Sequence, residues 1–263
     1  MTEHTGELAV KIDGIGGGPG CGKTTQLRTI QQSARFVCGF VFADMREDII
    51  KWHLDPNNES PLRHVFVAAK KDSSAGKLIG DAPINDAVTL YLYAKDHEFR
   101  TLGLGGIRRA FLSGWPRSDL QFQHMLSLDS HAHFWNLHIT EARADENRLE
   151  RIRKGEARDD DKPEVFMDRW TTFRDISDPA RVRFQEAHPG QCTTMEFMWS
   201  LRKKTKTILS NTRLTTTERS SLFGQINNEG TDAWNKISKI DGVSSQVSGF
   251  RKGTPLGQVA APA

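Results

Sequence analysis

The residues with the clearest chemical meaning form one run. Gly17-Gly18-Pro19-Gly20-Cys21-Gly22-Lys23-Thr24-Thr25-Gln26 has the spacing Gly-x-x-x-x-Gly-Lys-Thr. A loop this rich in glycine turns several backbone N–H groups toward one point, which suits the oxygens of a phosphate. Gly18, Gly20, Cys21 and Gly22 make the cradle, and Lys23 is placed to reach a terminal phosphate. A hydroxyl of Thr24 or Thr25 is placed to ligate Mg2+. Thr25–Arg35 lacks Gly and Pro and sets Leu27, Ile30 and Ala34 on one face, which predicts a helix directly behind the loop. Its positive N-terminal end then faces the same anion. Cys21 reads as a small residue fitted into the loop.

Three further stretches carry residue types that phosphate chemistry uses. Ala75-Gly76-Lys77-Leu78-Ile79-Gly80-Asp81 precedes a predicted helix. Leu112-Ser113-Gly114-Trp115-Pro116-Arg117 follows a predicted strand, with Gln121 four residues beyond. Gly155–Asp161 contains Arg158, and Arg169 follows eleven residues later. Moving a phosphoryl group between nucleotides crowds negative charge, so the protein's work is mostly positioning and neutralisation. Arginine suits this because its planar fork pairs with two phosphate oxygens at once.

In this order the four motifs resemble those of the adenylate kinases, within the nucleoside monophosphate kinase family, over residues 8–200. The family's loop reads G-x-P-G-x-G-K-x-T-Q, and its other motifs read A-G-K-L-V-x-D, L-D-G-F-P-R-x-x-x-Q and R-x-D-D…R. The resemblance implies an α/β fold of the P-loop NTPase type, a parallel sheet flanked by helices. It also implies an inserted acceptor-binding arm near residues 48–81 and a short lid near 148–158. The implied reaction is ATP plus AMP giving two ADP, with Mg2+ as cofactor, held at Thr24 or Thr25. ATP would lie on the loop residues Gly18, Gly20, Cys21, Gly22, Lys23, Thr24 and Thr25, with Arg148 on its base. The acceptor would be held by Asp44, Arg46, Lys77, Leu78, Ile79, Gly114, Arg117 and Gln121. Lys23, Arg117, Arg158 and Arg169 would be catalytic. A glutamine amide can both accept from and donate to an adenine edge, so Gln121 favours AMP.

Departures from the family pattern are specific. In T-G-D-x-x-R, Asp44 fits, but Glu47 stands at the arginine position, Arg46 comes one residue early, and Phe42 replaces the threonine. Ser113 replaces the aspartate of D-G-F-P-R. A hydroxyl lacks the charge that orders a cation's water, so Ser113→Asp is expected to strengthen the metal site unless Asp13 or Asp44 already compensates. Trp52–Lys71 is longer than the family norm. Two other readings follow: a kinase for another nucleoside or deoxynucleoside monophosphate, or a weakened nucleotide-binding module in a larger assembly.

Positioning these residues requires alternating elements. Strands are predicted at Leu8–Ile12 (ended by Asp13 and Gly14), Phe36–Phe42, Arg109–Leu112 and Phe134–Ile139. Helices are predicted at Ile84–Tyr93, Leu120–Leu128, Glu141–Lys154 and from Pro163. Such alternation predicts a parallel sheet covered on both faces, with ligands at the carboxyl ends of its strands. From Thr205 the chain turns rich in Ser, Thr, Gly and Asn. The expected division is a kinase domain, 1–204, and a polar extension, 205–263, dispensable for catalysis and available to a protein partner. Trp115, Trp135, Trp170 and Trp199 are expected in the core, and Lys203, Lys204 and Lys206 on a solvated helix face.

The 263 residues carry a net charge of only +3 with both signs interleaved, so no nucleic-acid partner is called for. Three separated cysteines argue against a disulfide framework or a four-cysteine zinc site. His131 and His133 lack further ligands. No apolar run approaches the ~20 residues that span a bilayer, and no secretory pattern is seen, so the expected compartment is the cytoplasm.

Overall fold

Lys11–Gly17 forms the first strand, β1, and it runs through the residues predicted to end it. Two neighbours explain the difference. The Phe134 ring, from an adjacent strand, lies over Gly14 and Gly16, and an ideal Cβ on Gly16 would fall 2.0 Å from its Cζ. Glycine is therefore the residue that lets this strand pass beneath a large side chain. Asp13 turns to the other face, where Oδ2 accepts from Arg109 at 2.6 Å and Oδ1 from the Trp135 indole at 2.9 Å. Both ions are buried, and the indole satisfies the carboxylate's second oxygen, as a buried pair requires.

The structure is a computed structural model that describes residues 8–34, 39–73, 79–157, 161–196 and 201–211, without the side chains of 70–73 and 202. These fall in the first of two compact units, Met1–Leu222; the second, Phe223–Ala263, lies outside the described residues. After β1 come α1 (Lys23–Ser33) and β2 (Phe40–Asp44). A π-helical turn, Met45–Ile50, runs directly into α2 (Lys51–Leu54), followed by α3 (Arg63–Ser73) and α4 (Asp81–Thr101). Then follow β3 (Arg109–Ser113), α5 (Asp119–Leu128), β4 (His133–Leu137) and α6 (Glu141–Arg153). The last elements are α7 (Pro163–Thr172), a second π-helical turn (Phe173–Ser177), α8 (Asp178–Ala187), β5 (Cys192–Met195) and α9 (Leu201–Asn211).

The five strands form one all-parallel sheet in the order β2-β3-β1-β4-β5. Ser113 pairs with Ile15 on one side and with Asp44 on the other, so the ends of β1, β2 and β3 lie at one level. On one face, Ile15, Phe111, Trp135 and Met195 pack with Leu27 and Ile30 of α1 and Ile208 and Leu209 of α9. On the other, Ile12, Ala43, Leu112 and Phe134 pack with Ile49, Phe66, Val88, Phe122 and Phe184 from the intervening helices. The described residues from Met45 to α4, within the expected acceptor arm and its flanks, pack on the second face. Among the described residues no helix is long and apolar enough to cross a membrane.

The expected boundary at Thr205 is corrected, because α9 continues through it. Thr205, Ile208 and Leu209 are buried at helical spacing, and Thr205 Oγ1 accepts from Gln26 Nε2 of α1 at 2.8 Å. Three inward positions suffice to seat a short helix, and a polar sequence hides them. Lys204 is buried too, against the solvated face expected of it, whereas Lys203 and Lys206 are exposed. Trp115, Trp135 and Trp170 are buried as expected; Trp199 lies outside the described residues. Ile208→Ala is expected to lower unfolding free energy by about 2–4 kcal/mol, and truncation after Ser200 to cost more, both read by denaturant titration.

His53 anchors the arm helices. It is buried, its ring packs against Trp52 and Phe66, Nε2 lies 2.9 Å from the Ala87 carbonyl oxygen and Nδ1 2.5 Å from Ser60 Oγ. Burial lowers its pKa and that of His124. A depressed folded pKa means that the unfolded chain takes up the proton first as pH falls. Stability is thus expected to decline below about pH 6.5, with a shallower decline in His53→Gln, measured by unfolding at stepped pH.

Candidate functional site

The glycine loop leaves β1 at the carboxyl edge of the sheet, between the ends of β3 and β4. This is where open parallel sheets take ligands. Gly22 has φ +85° and stands at the N-terminal end of α1, a backbone turn that glycine makes without strain. The loop is braced from two sides. The Trp170 ring lies 2.7 Å from where a Gly18 Cβ would stand. Asn147 of α6 donates from Nδ2 to the Gly20 carbonyl at 3.1 Å.

Lys23 folds its ammonium over the loop, donating to the carbonyls of Gly17 at 2.8 Å and Gly18 at 2.9 Å, with Cys21 Sγ at 3.6 Å. Burial lowers its pKa; the Cys21 thiol opposes this, and the charges of Arg117 and Arg169 add to the lowering. Arg117 feels burial and then Arg169 in the same direction, offset by Asp44 and Cys21. The charges of three of the four expected catalytic cations therefore act on one another. Arg117 is aimed by its backbone: Nε donates to the Gly114 carbonyl at 2.6 Å, and Gly114 adopts φ +82° at the turn after β3. The fourth cation, Arg158, and the acceptor candidates Lys77 and Leu78 lie outside the described residues.

Beside the cations sits a carboxylate that joins four elements. Asp44 Oδ2 accepts from Thr24 Oγ1 at 3.0 Å and from Ser113 Oγ at 2.8 Å. Its Oδ1 accepts from the backbone N–H groups of Arg46 at 3.0 Å and Glu47 at 3.3 Å, capping the turn that opens the arm. Its own N–H donates to Asp48 Oδ2 at 2.7 Å, and Asp48 pairs with Arg28 of α1 at 2.7 Å. The set of two hydroxyls and a carboxylate is all hard oxygen, which fits Mg2+. Thr24 is the threonine turned to this place; Thr25 is exposed on the first turn of α1. Of the two acids weighed as substitutes for the missing aspartate at 113, Asp13 is committed to Arg109 and Trp135. Asp44 is the one beside the loop.

The remaining expected residues divide. Gln121 is buried, with both ends of its amide in use: Oε1 accepts from Arg117 N at 2.8 Å and Nε2 donates to Asp81 Oδ1 at 2.8 Å. It therefore shapes the Arg117 turn and offers no open edge in this conformation. Asp81 also takes Ser118 Oγ at 2.7 Å, so the last residue of the Ala75–Asp81 motif locks α4 to α5. Phe42 is half-buried and stacks on Phe111 with centroids 5.2 Å apart, on the sheet face opposite the arm. Ile79 packs partly buried against the arm-side core, and the Arg46 side chain is exposed. Arg148 is buried, donating to Asp145 at 2.7 Å and to the Asp161 carbonyl at 2.8 Å, with its guanidinium 5.4 Å from the Phe166 ring centre. It lines a cleft of about 510 Å3 between α6 and α7. Arg151 pairs with the Asp161 carboxylate.

No family model matches the chain, and no curated protein matches it. Among the described residues no group of three or more His, Cys, Asp or Glu is gathered to hold a metal on its own.

Sequence reasoning named Asp44 but missed its bond to Ser113 and its ties to Thr24 and the arm. The available signal was that Asp44 and Ser113 each close a strand just before a glycine-containing or polar turn. The geometry favours the alternative in which Asp44 compensates, since Ser113→Asp would set a second carboxylate within bonding distance of Asp44. That variant is expected to be less stable than the wild type at pH 7.5 by about 2 kcal/mol, and the deficit should shrink toward acid as one carboxyl keeps its proton. Paired thermal melts across pH check this.

Proposed function

We propose that this protein transfers the terminal phosphoryl group of ATP to a nucleoside monophosphate, with AMP the first candidate. It would do so as a P-loop enzyme of the kind its motifs resemble. The observation that carries the reading is the glycine loop at the carboxyl edge of a parallel sheet, with Lys23 folded over it and Arg117 and Arg169 near enough for their charges to act on Lys23. Mutual repulsion makes such a cluster costly, and a ligand with several negative charges relieves it.

The residues divide the work. Backbone N–H groups of 18–22 and the N-terminus of α1 receive the donor's phosphates. Lys23 exchanges two carbonyl partners for phosphate oxygens. Arg117, held by Gly114, takes the acceptor's phosphate through its fork, and Arg169 faces the migrating group. Thr24, with Asp44 and Ser113 behind it, would hold Mg2+, which when bound neutralises part of the phosphate charge. The cleft beside Arg148 and Phe166 has a size that suits a nucleoside. Asp44 supports catalysis over a weakened binding module, since it offers a carboxylate bonded to the Ser113 hydroxyl.

A second reading keeps the chemistry and changes the acceptor. It is favoured by Gln121, whose amide is spent on Arg117 and Asp81. A coupled assay of ADP formation with AMP, CMP, UMP, GMP and dTMP separates the two. Fastest turnover with AMP is expected. Preference for a pyrimidine acceptor would favour the second reading, and absence of turnover with all five would end both. Lys23→Ala should retain the fold and lose about 100-fold or more in kcat.

A further inference from the structure

Asp44 spends its two oxygens in opposite directions, and the two directions belong to different substrates. Oδ2 faces Thr24 and Ser113, on the donor side; Oδ1 holds the amides of Arg46 and Glu47, the first turn of the acceptor arm. A carboxylate offers about four acceptor sites, and here all four are occupied by named donors. The residue is 8% exposed, so its oxygens rely chiefly on these four donors. Behind it, Asp48 Oδ2 receives both the Asp44 N–H and Arg28, which fixes the backbone of the same turn to α1. The arm thus begins at a side chain that also faces the nucleotide loop.

We infer that Asp44 couples the divalent cation of the bound donor to the acceptor arm, and that Ser113 is the positioning residue that aims it. This rests on the nucleotide-binding reading above. Thr24 would hold the cation through an oxygen lone pair while its O–H keeps donating to Oδ2, and Ser113 keeps the carboxylate from rotating. Oδ1 continues to cap the arm, so the arm's first turn becomes tied to the donor's phosphates. The coupling must be reciprocal: an ordered arm raises cation affinity as much as the cation orders the arm.

Hydrogen exchange on the full chain tests this without turnover, using a non-hydrolysable ATP analogue with EDTA or with Mg2+. In wild type, Mg2+ is expected to slow exchange of residues 45–54 by about fivefold or more, alongside slower exchange at 17–26. Asp44→Asn keeps an oxygen for the two amide caps but cannot accept from a hydroxyl or water at its NH2 end. It should abolish the Mg2+ effect at 45–54 and leave the nucleotide effect at 17–26. Ser113→Ala, which leaves the cap untouched, should reduce the effect at 45–54. A Mg2+ effect on the arm that persists in Asp44→Asn, or none in wild type despite protection at 17–26, overturns the inference. No nucleotide response at 17–26 in wild type removes the binding reading itself, and this inference with it.

Discussion

Everything near the carboxyl edge of the sheet depends on one buried negative charge being satisfied. Asp44 ends β2 among groups that would otherwise be uniformly positive or donating: the Thr24 and Ser113 hydroxyls, two arm amides, and the charge of Arg117 nearby. A carboxylate taken from water is costly unless hydrogen bonds replace its hydration. Four donors from three elements supply them. Asp44 pairs in register with Ser113 and caps the turn that opens the arm, so the same side chain ties the ends of β2 and β3 to the arm's first turn.

The same economy of charge shapes the cations. Lys23 is kept in place by carbonyl oxygens of its own loop, and Arg117 by the Gly114 carbonyl. Carbonyls orient a cation without cancelling its charge. A carboxylate partner would stabilise the protein more and leave less attraction for a ligand. The arrangement is the one expected where stability yields to binding. By contrast, Asp13 has Arg109 and the Trp135 indole as partners, and Arg151 pairs with the Asp161 carboxylate.

Much of this was legible in the residues. The glycine loop, the alternation of elements, Arg117 beside Gly114 and the wide spacing of the loop from Arg169 all follow from local pattern. What escaped notice depends on partners distant in sequence. β1 continues through Asp13 and Gly14 because Phe134, some 120 residues later, occupies the space above it. α9 was hidden in polar composition because its seat is a groove on α1 and needs only Thr205, Ile208 and Leu209. Gln121 reads as an adenine contact by type, yet Asp81 and the Arg117 amide are nearer claimants. A motif names a residue's chemistry; its register with neighbouring strands and helices decides what that chemistry is applied to.

Lys23, Arg117 and Arg169 lie near enough for their charges to act on one another, and a bound polyphosphate would relieve that repulsion. The most direct measurement is an NMR titration of the Lys23 ammonium, by side-chain nitrogen labelling, in the nucleotide-free protein and with ATP. The account predicts a pKa below the ordinary lysine value without nucleotide, rising when ATP binds. A Lys23 that titrates as an ordinary lysine, and whose pKa ATP leaves unchanged, would contradict it.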